Sequence, residues 1–234
     1  MPSEVSNVSR LELKHLRATR WLHWINFPLL AIMLWSGMLI YWANDVYRVG
    51  LGGFTLIHFF PDWFYNTLGF GHRLAEGMAW HFLFMWLFTI NGIAYVIYTA
   101  VSGEWRYLVP NRNSFKEAVQ VTLYDLHLSK VHPPRRKFNG AQQIAYTSII
   151  LMGAGSVITG LAIYKSAQFG WLTWLCGGYE AARLEHFLLA MGYVLFFCVH
   201  IAQVTRAGWN NLRAMITGYE VPPVQEVEKE AAGD

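Results

Sequence analysis

The stretch LEHFLLAMGYVLFFCVHIAQ, residues 184–203, has the length and apolar character of a membrane span, yet it holds two histidines, His186 and His200. A helix needs about twenty mainly apolar residues to cross the hydrocarbon of a bilayer. Both rings therefore belong at membrane depth, where an ionisable side chain is costly and marks function when a partner can be named. Fourteen helical residues rise about 21 Å and bring the second ring to within about 40° of the first. One helix face thus carries an imidazole near each side of the membrane.

Three further segments have the same character. The four predicted spans run over Trp21–Trp42, Leu74–Val101, Gly140–Tyr164 and Ala182–Thr205. Of the 234 residues, 54% are hydrophobic and only 14% charged, against about 25% charged in an ordinary soluble domain. Eleven Trp, twelve Tyr and fifteen Phe suit the membrane–water interface. The fold class expected is all-α, an integral membrane four-helix bundle. It divides into a cytoplasmic segment 1–20, a four-span domain 21–205 and a cytoplasmic tail 206–234. The end of that tail, EVPPVQEVEKEAAGD, is rich in Pro and Glu and reads as disordered. The first span is too long for a signal-peptide core, and no small-residue cleavage site follows it, so it is expected to be retained. Cys176 and Cys198 make no disulfide framework. A net charge of +3 is too small to point to nucleic acid, and no glycine loop of the phosphate-cradling kind occurs.

The distribution of charge is more informative. Four Lys or Arg precede the first span, seven lie between the second and third, and three follow the fourth. Only Arg48, Arg73, Lys165 and Arg183 fall on the opposite side. By the positive-inside rule both termini are cytoplasmic in an inner (cytoplasmic) membrane protein, and loops 43–73 and 165–181 face outward.

Depth then pairs the histidines. His23, in RWLHWIN, lies just inside the cytoplasmic start of the first span, and His200 a similar distance from the cytoplasmic end of the fourth. His81, in MAWHFLF, and His186 lie near the outer ends of the second and fourth. Two imidazoles in each of two layers is the pattern that clamps two b-type haem irons, His23 with His200 inside and His81 with His186 outside. An iron held axially by two imidazoles has no open position, so such a site passes electrons and performs no bond chemistry. A single membrane histidine is more simply a hydrogen-bonded helix contact; four matched in depth and side favour haem. Metal transport would call for acids near mid-membrane, whereas Glu76 and Glu185 stand at the edges.

Other residues keep two readings. Gly37, Gly92, Gly153, Gly155, Gly160 and Gly192 lie within spans, where glycine admits a macrocycle or a neighbouring helix equally well. Arg17, Arg20 and Arg206 inside, and Arg73 and Arg183 outside, suit haem propionates or ordinary snorkelling charges.

With these residues in view, the chain resembles the four-helix di-haem cytochrome b family of bacterial respiratory oxidoreductases. That family includes the gamma subunit of formate dehydrogenase, the cytochrome b of nickel–iron hydrogenase, thiosulfate-reductase-type subunits and bacterial cytochrome b561-like proteins. The resemblance extends from about Arg17 to Tyr219 and rests on RWLHW, WHF, the spacing of His186 and His200, and KFNGAQQIAY. It implies the same axial pairs, with the fourth helix giving one ligand to each haem. It also implies a quinone site near the inner haem at the polar start of the third span, where Asn139 and Gln142 follow the basic run Arg135, Arg136 and Lys137. Asn and Gln can donate to quinone carbonyls, although an Asn at this place is equally an N-cap. Phe138 stands where Tyr is expected. The loops 102–139 and 43–73 are long, and their His127, His132, His58 and His72 fall outside the spans and make poor ligands.

The function expected is that of a membrane cytochrome b subunit. It anchors an extracytoplasmic oxidoreductase of molybdenum, iron–sulfur or nickel–iron type and carries electrons between it and the quinone pool, without being the primary catalytic subunit. An aromatic outer surface suits docking or an interfacial belt. One alternative is a stand-alone cytochrome that oxidises a small diffusible reductant such as superoxide and reduces quinone; another is a haem-free scaffold.

Overall fold

Uninterrupted apolar runs of this length can satisfy their backbone in lipid only as helices, since a helix pairs every interior N–H and C=O within itself. The computed structural model describes residues 11–51, 54–130 and 137–221. In chain order these form β1 (Glu12–Leu13), α1 (Arg17–Tyr41), a 3₁₀ turn (Trp42–Asn44), β2 (Arg48–Leu51), β3 (Phe54–His58), α2 (Asp62–Leu68), α3 (Leu74–Ser102), α4 (Trp105–Leu108), α5 (Ser114–Asp125), α6 (Gly140–Tyr164), α7 (Gly170–Leu175), α8 (Tyr179–Thr217) and β4 (Tyr219–Glu220). Among the described residues, four helices are long and apolar enough to cross a membrane: α1 with its 3₁₀ extension, α3, α6 and α8. The 29 residues of α3 extend about 43 Å, more than the roughly 30 Å of hydrocarbon. Its Leu83, Trp86, Leu87, Ile90, Ile93 and Ile97 are all exposed. A face so apolar and so long is stable against lipid and not against water. The chain is a multi-pass membrane protein.

The polypeptide forms two compact units, one of residues 1–23, 107–149 and 191–234, the other of residues 24–106 and 150–190. The second contains segments of all four spanning helices, packed where small residues allow. Gly77 of α3 lies so close to α1 that an added Cβ would stand 2.7 Å from the Cβ of Leu39 and 3.1 Å from the Ser36 carbonyl oxygen. Gly155 of α6 faces Leu189 of α8 in the same way, at 3.2 Å. A polar contact within the unit, Asn91 Nδ2 donating to Asn26 Oδ1 at 3.4 Å, joins α3 to α1. The loop between α1 and α3 packs Tyr41 and Tyr47 against Phe187 of α8, with ring centroids 4.9 and 4.8 Å away.

In the first unit α5 packs against α8, where Gln203 Nε2 donates to Asp125 Oδ2 at 2.7 Å and Arg206 Nη1 to the Asp125 carbonyl at 2.6 Å. It also meets α6, where a Cβ on Gly140 would strike the Ser114 carbonyl and the Glu117 Cβ. The Ser114 hydroxyl donates to Gln143 Oε1 at 2.7 Å, and Gln143 Nε2 donates to the Tyr107 carbonyl at 3.1 Å. Strand β1 pairs antiparallel with β4. The Lys14 amide donates to the Gly218 carbonyl at 2.8 Å, Lys14 Nζ meets Glu220 at 2.6 Å, and Arg20 Nη1 donates to the Thr217 carbonyl. This strap ties the start of α1 to the end of α8.

The sequence reading needs three corrections of detail. The chain is mostly helical rather than all-α, because β1 pairs with β4 and β2 with β3; the turn signal GLGG between RV and FTLIH marks the second ladder. Helix α1 begins at Arg17, four residues before the predicted span, because hydropathy reports where hydrocarbon starts and not where helical hydrogen bonding starts. The helix that carries the fourth predicted span, Ala182–Thr205, runs on beyond it to Thr217 across a break at Gly208, whose φ of 79° and ψ of 178° are not helical. Cys176 and Cys198 are free thiols. Arg135, Arg136, His132 and the Pro/Glu-rich tail from residue 222 lie outside the described residues.

The contact at Gly77 gives a test of packing. Gly77→Ala must push α1 and α3 apart or displace Leu39, and overpacking of this kind costs about 1–3 kcal/mol. Thermal unfolding in detergent should show a lower midpoint than for Gly92→Ala, since nothing lies within 4 Å of the corresponding Cβ there.

Candidate functional site

Two histidine pairs stand out, each contained within one unit. His81 of α3 and His186 of α8 have ring centroids 6.2 Å apart, with planes at 72°. His23 of α1 and His200 of α8 have centroids 6.1 Å apart, with planes at 54°. A metal–imidazole bond is about 2.0 Å long. Two rings bound on opposite sides of one metal therefore have centroids about 6 Å apart. Packed aromatic pairs show the same spacing, as Trp35 and Trp80 do at 6.1 Å, so the distance fits a shared metal, and it is the pairing of histidine with histidine twice over that points to one. Among the described residues no group of three or more His, Cys, Asp or Glu side chains is placed to hold a metal ion. Each pair could thus supply two ligands, which would suit an iron whose other four positions belong to a macrocycle.

Hydroxyl contacts around the second unit's pair are compatible with one tautomer of each ring. The Ser36 hydroxyl lies 2.9 Å from His81 Nδ1 and donates its own proton to the Met33 carbonyl at 3.2 Å. With its proton on that carbonyl, the hydroxyl accepts from Nδ1–H, which corresponds to the Nδ1-protonated tautomer of His81. The Thr159 hydroxyl lies 2.9 Å from His186 Nδ1 and donates to the Gly155 carbonyl at 2.7 Å, so it too accepts. In a neutral imidazole with its proton on Nδ1, the lone pair is on Nε2. In that tautomer both rings keep the Nε2 lone pair, the atom able to ligate a metal. Gly37 and Gly160 pass close to the same rings, with a built Cβ 3.7 Å from His81 Cε1 and 3.4 Å from His186 Cε1. In the first unit, Phe196 stacks on His200 with centroids 5.8 Å apart and planes at 7°.

The five arginines are largely engaged by protein. Arg73 grips Glu76 through Nε at 2.8 Å and Nη2 at 2.7 Å, and lies over Trp35. Arg183 meets Glu180 at 3.1 Å and lies over Tyr179. Arg206 is held by Asp125 and Arg20 by the Thr217 carbonyl, while Arg17 is exposed. Arg20 and Arg183 each stand three residues, about one helical turn, before an axial-candidate histidine.

Asn139 and Gln142 form a reciprocal capping box at the start of α6. The Gln142 amide donates to Asn139 Oδ1 at 2.9 Å, and the Asn139 amide donates to Gln142 Oε1 at 3.0 Å. Both side-chain oxygens are therefore used on the helix end, and their NH₂ groups are the atoms left to face a ligand. The loop histidines are occupied with their surroundings: His58 Nε2 is 3.2 Å from Asp45 and His72 packs on Trp42 with centroids 4.5 Å apart.

Sequence reasoning picks out Gly37 and Gly160 but passes over the hydroxyl residue immediately before each. The signal was present. Ser36 and Thr159 are buried polar side chains within otherwise apolar helices, and each precedes a glycine.

The family profile described as prokaryotic cytochrome b561 matches residues 14–218. The chain is also similar to the putative protein-methionine-sulfoxide reductase subunit YedZ1 of Azospira oryzae (strain ATCC BAA-33 / DSM 13638 / PS). The two are 33% identical over 199 residues, covering 84% of this chain and 92% of the relative.

The capping box makes a prediction about residue 139. Asn139→Ala removes the cap and should cost about 1 kcal/mol of stability, whereas Asn139→Ser keeps an acceptor and should cost only a small part of that. Thermal unfolding of the two variants side by side would measure the difference.

Proposed function

The chain belongs to the prokaryotic cytochrome b561 family, and from that membership we propose that it is a di-haem electron-transfer subunit linking a partner oxidoreductase to the quinone pool. Members of the family bind b-type haem, and this chain is a membrane haem protein of that type. The finer reading, two haems per chain, is carried by one observation: two His–His pairs with centroids 6.1 and 6.2 Å apart. His23 and His200 would hold one iron, His81 and His186 the other. When bound, a bis-imidazole haem supplies one-electron transfer with no coordination position left for substrate. The protein's part is to hold the ligands and to exclude water with its apolar helices. It would also carry charge to the propionates, for which Arg20 and Arg183 are the nearest candidates along their helices.

The positive-inside distribution supports both termini in the cytoplasm, which puts the His23–His200 pair on the inner side of an inner membrane. Asn139 and Gln142 stand on that side too, and in this reading their NH₂ groups donate to a quinone. The relative is named as a subunit, which favours dependence on a partner over a stand-alone cytochrome oxidising superoxide. By analogy with the relative's name, the partner would reduce methionine sulfoxide in proteins. Each sulfoxide takes up two electrons and two protons and yields methionine and water, so electrons would flow outward from quinol. Exposed aromatic and apolar side chains at the outward end, such as Phe54 and Trp174, each 80% exposed, suit a docking surface or an interfacial anchor.

Two sets of variants test this function. His200→Ala should lose one haem and keep the other, and His81→Ala should lose the complementary one, read by reduced-minus-oxidised spectra and haem quantification. Retention of both haems in either variant would remove the pairing. Gln142→Glu and Asn139→Ser keep the capping oxygens and delete the amide donors. They should leave both haem spectra intact and slow haem oxidation by added quinone several-fold; unchanged kinetics would take the quinone away from the start of α6.

A further inference from the structure

We propose that Ser36 and Thr159 are positioning residues that set the electron-donor strength and the orientation of the two axial imidazoles at the His81–His186 site, and so hold down its reduction potential. The inference rests on the haem reading above and concerns what α1 and α6 add to it. Those two helices give no ligand to this site. Each instead offers a hydroxyl followed by a glycine, Ser36–Gly37 on α1 and Thr159–Gly160 on α6. The correspondence is close: each hydroxyl is 2.9 Å from Nδ1 of its histidine, each returns its proton to a carbonyl of its own helix, and each glycine leaves room beside Cε1 of the same ring. The four helices thus alternate in role around one site, with α3 and α8 bringing rings and α1 and α6 bringing clasps.

The chemical consequence follows from the donor direction. An acceptor on Nδ1–H pulls that proton partly away and makes Nε2 more basic, as partners on the far nitrogen of metal-bound histidines do. A more basic ligand stabilises the ferric over the ferrous state, so the clasps lower the potential. They also fix ring rotation, because a ring held at Nδ1 by a helix hydroxyl cannot turn about the axis through the metal bond without breaking that bond. Ser36 is fully buried and Thr159 nearly so. No water competes for these bonds, and an unsatisfied Nδ1–H in hydrocarbon would itself be costly.

The test uses the full-length protein purified with its haems, under potentiometric titration and low-temperature EPR. Thr159→Val keeps shape and removes the hydroxyl; Thr159→Ser keeps the hydroxyl and removes a methyl. The valine variant should retain both haems, move one of the two redox steps to higher potential and shift the g values of that haem, which depend on the angle between the ring planes. The serine variant should match the wild type, and Ser36→Ala should move the same step upward. If the valine and serine variants behave alike, or if Ser36→Ala leaves the step unmoved or lowers it, the clasp role is wrong. A wild-type protein carrying fewer than two haems per chain would overturn the di-haem reading together with this inference, whereas two haems with unmoved potentials would overturn this inference alone.

Discussion

An imidazole in hydrocarbon must find a partner for each of its two nitrogens, because no water is there to supply one. That constraint organises the second unit. Nδ1 of His81 and of His186 are satisfied by hydroxyls on neighbouring helices, which leaves two Nε2 lone pairs in search of a partner. In the proposed reading a metal between the rings would answer both at once, and the centroid spacing of 6.2 Å is compatible with that. The same constraint explains the small residues. Ser36 can reach His81 only because Gly77 lets α3 approach the α1 backbone, and a Cβ there would meet the carbonyl of Ser36 itself at 3.1 Å. Packing, hydrogen bonding and ligand geometry are one requirement expressed at three positions along the same helix contact.

In the first unit the contacts that stand out hold the helix ends that carry the histidines. His23 lies less than two turns into α1 and His200 lies before the break in α8 at Gly208. The ends that carry them are tied together by backbone bonds from Lys14 and His15 to Gly218 and by the Arg20 contact to Thr217. The Lys14–Glu220 ion pair adds to this strap, although a part-exposed pair of this kind contributes only about 0–1 kcal/mol. Helix α5 then braces α8 through Asp125, which engages both Gln203 and Arg206. Arg206, which reads in sequence as a propionate partner or a snorkelling charge, thus has Asp125 as a protein partner. Helices α1, α6 and α8 each have residues in both units, and α8 carries His186 in one and His200 in the other.

Much of this was legible in the sequence, for physical reasons. Spans are set by hydrophobic length, a local property, and the four histidines are conspicuous because the surrounding residues are so apolar. Side-chain partners between helices were not legible. Nothing local tells that Ser36 meets His81 or that Thr159 meets His186, since hydroxyls are tolerated in membrane helices by bonding back to their own carbonyls. The capping box of Asn139 and Gln142 could be read, because its three-residue spacing is itself the signal. The ladders β1–β4 and β2–β3 were missed for opposite reasons. The second pairs two strands that are near neighbours in sequence, obscured by their apolar setting, whereas the first joins residues about two hundred positions apart that have no recognisable pattern.

The account stands or falls on how many irons the two histidine pairs hold and in what state. Haem content per chain, measured on the purified wild-type protein as the pyridine haemochrome against quantitative amino-acid analysis, tests this most directly when the same sample is examined for spin state. Two b haems per chain, both low-spin in the ferric and ferrous forms, is the predicted result. One haem per chain, or a high-spin component that binds carbon monoxide, would contradict it, because an open axial position is incompatible with two rings on each iron.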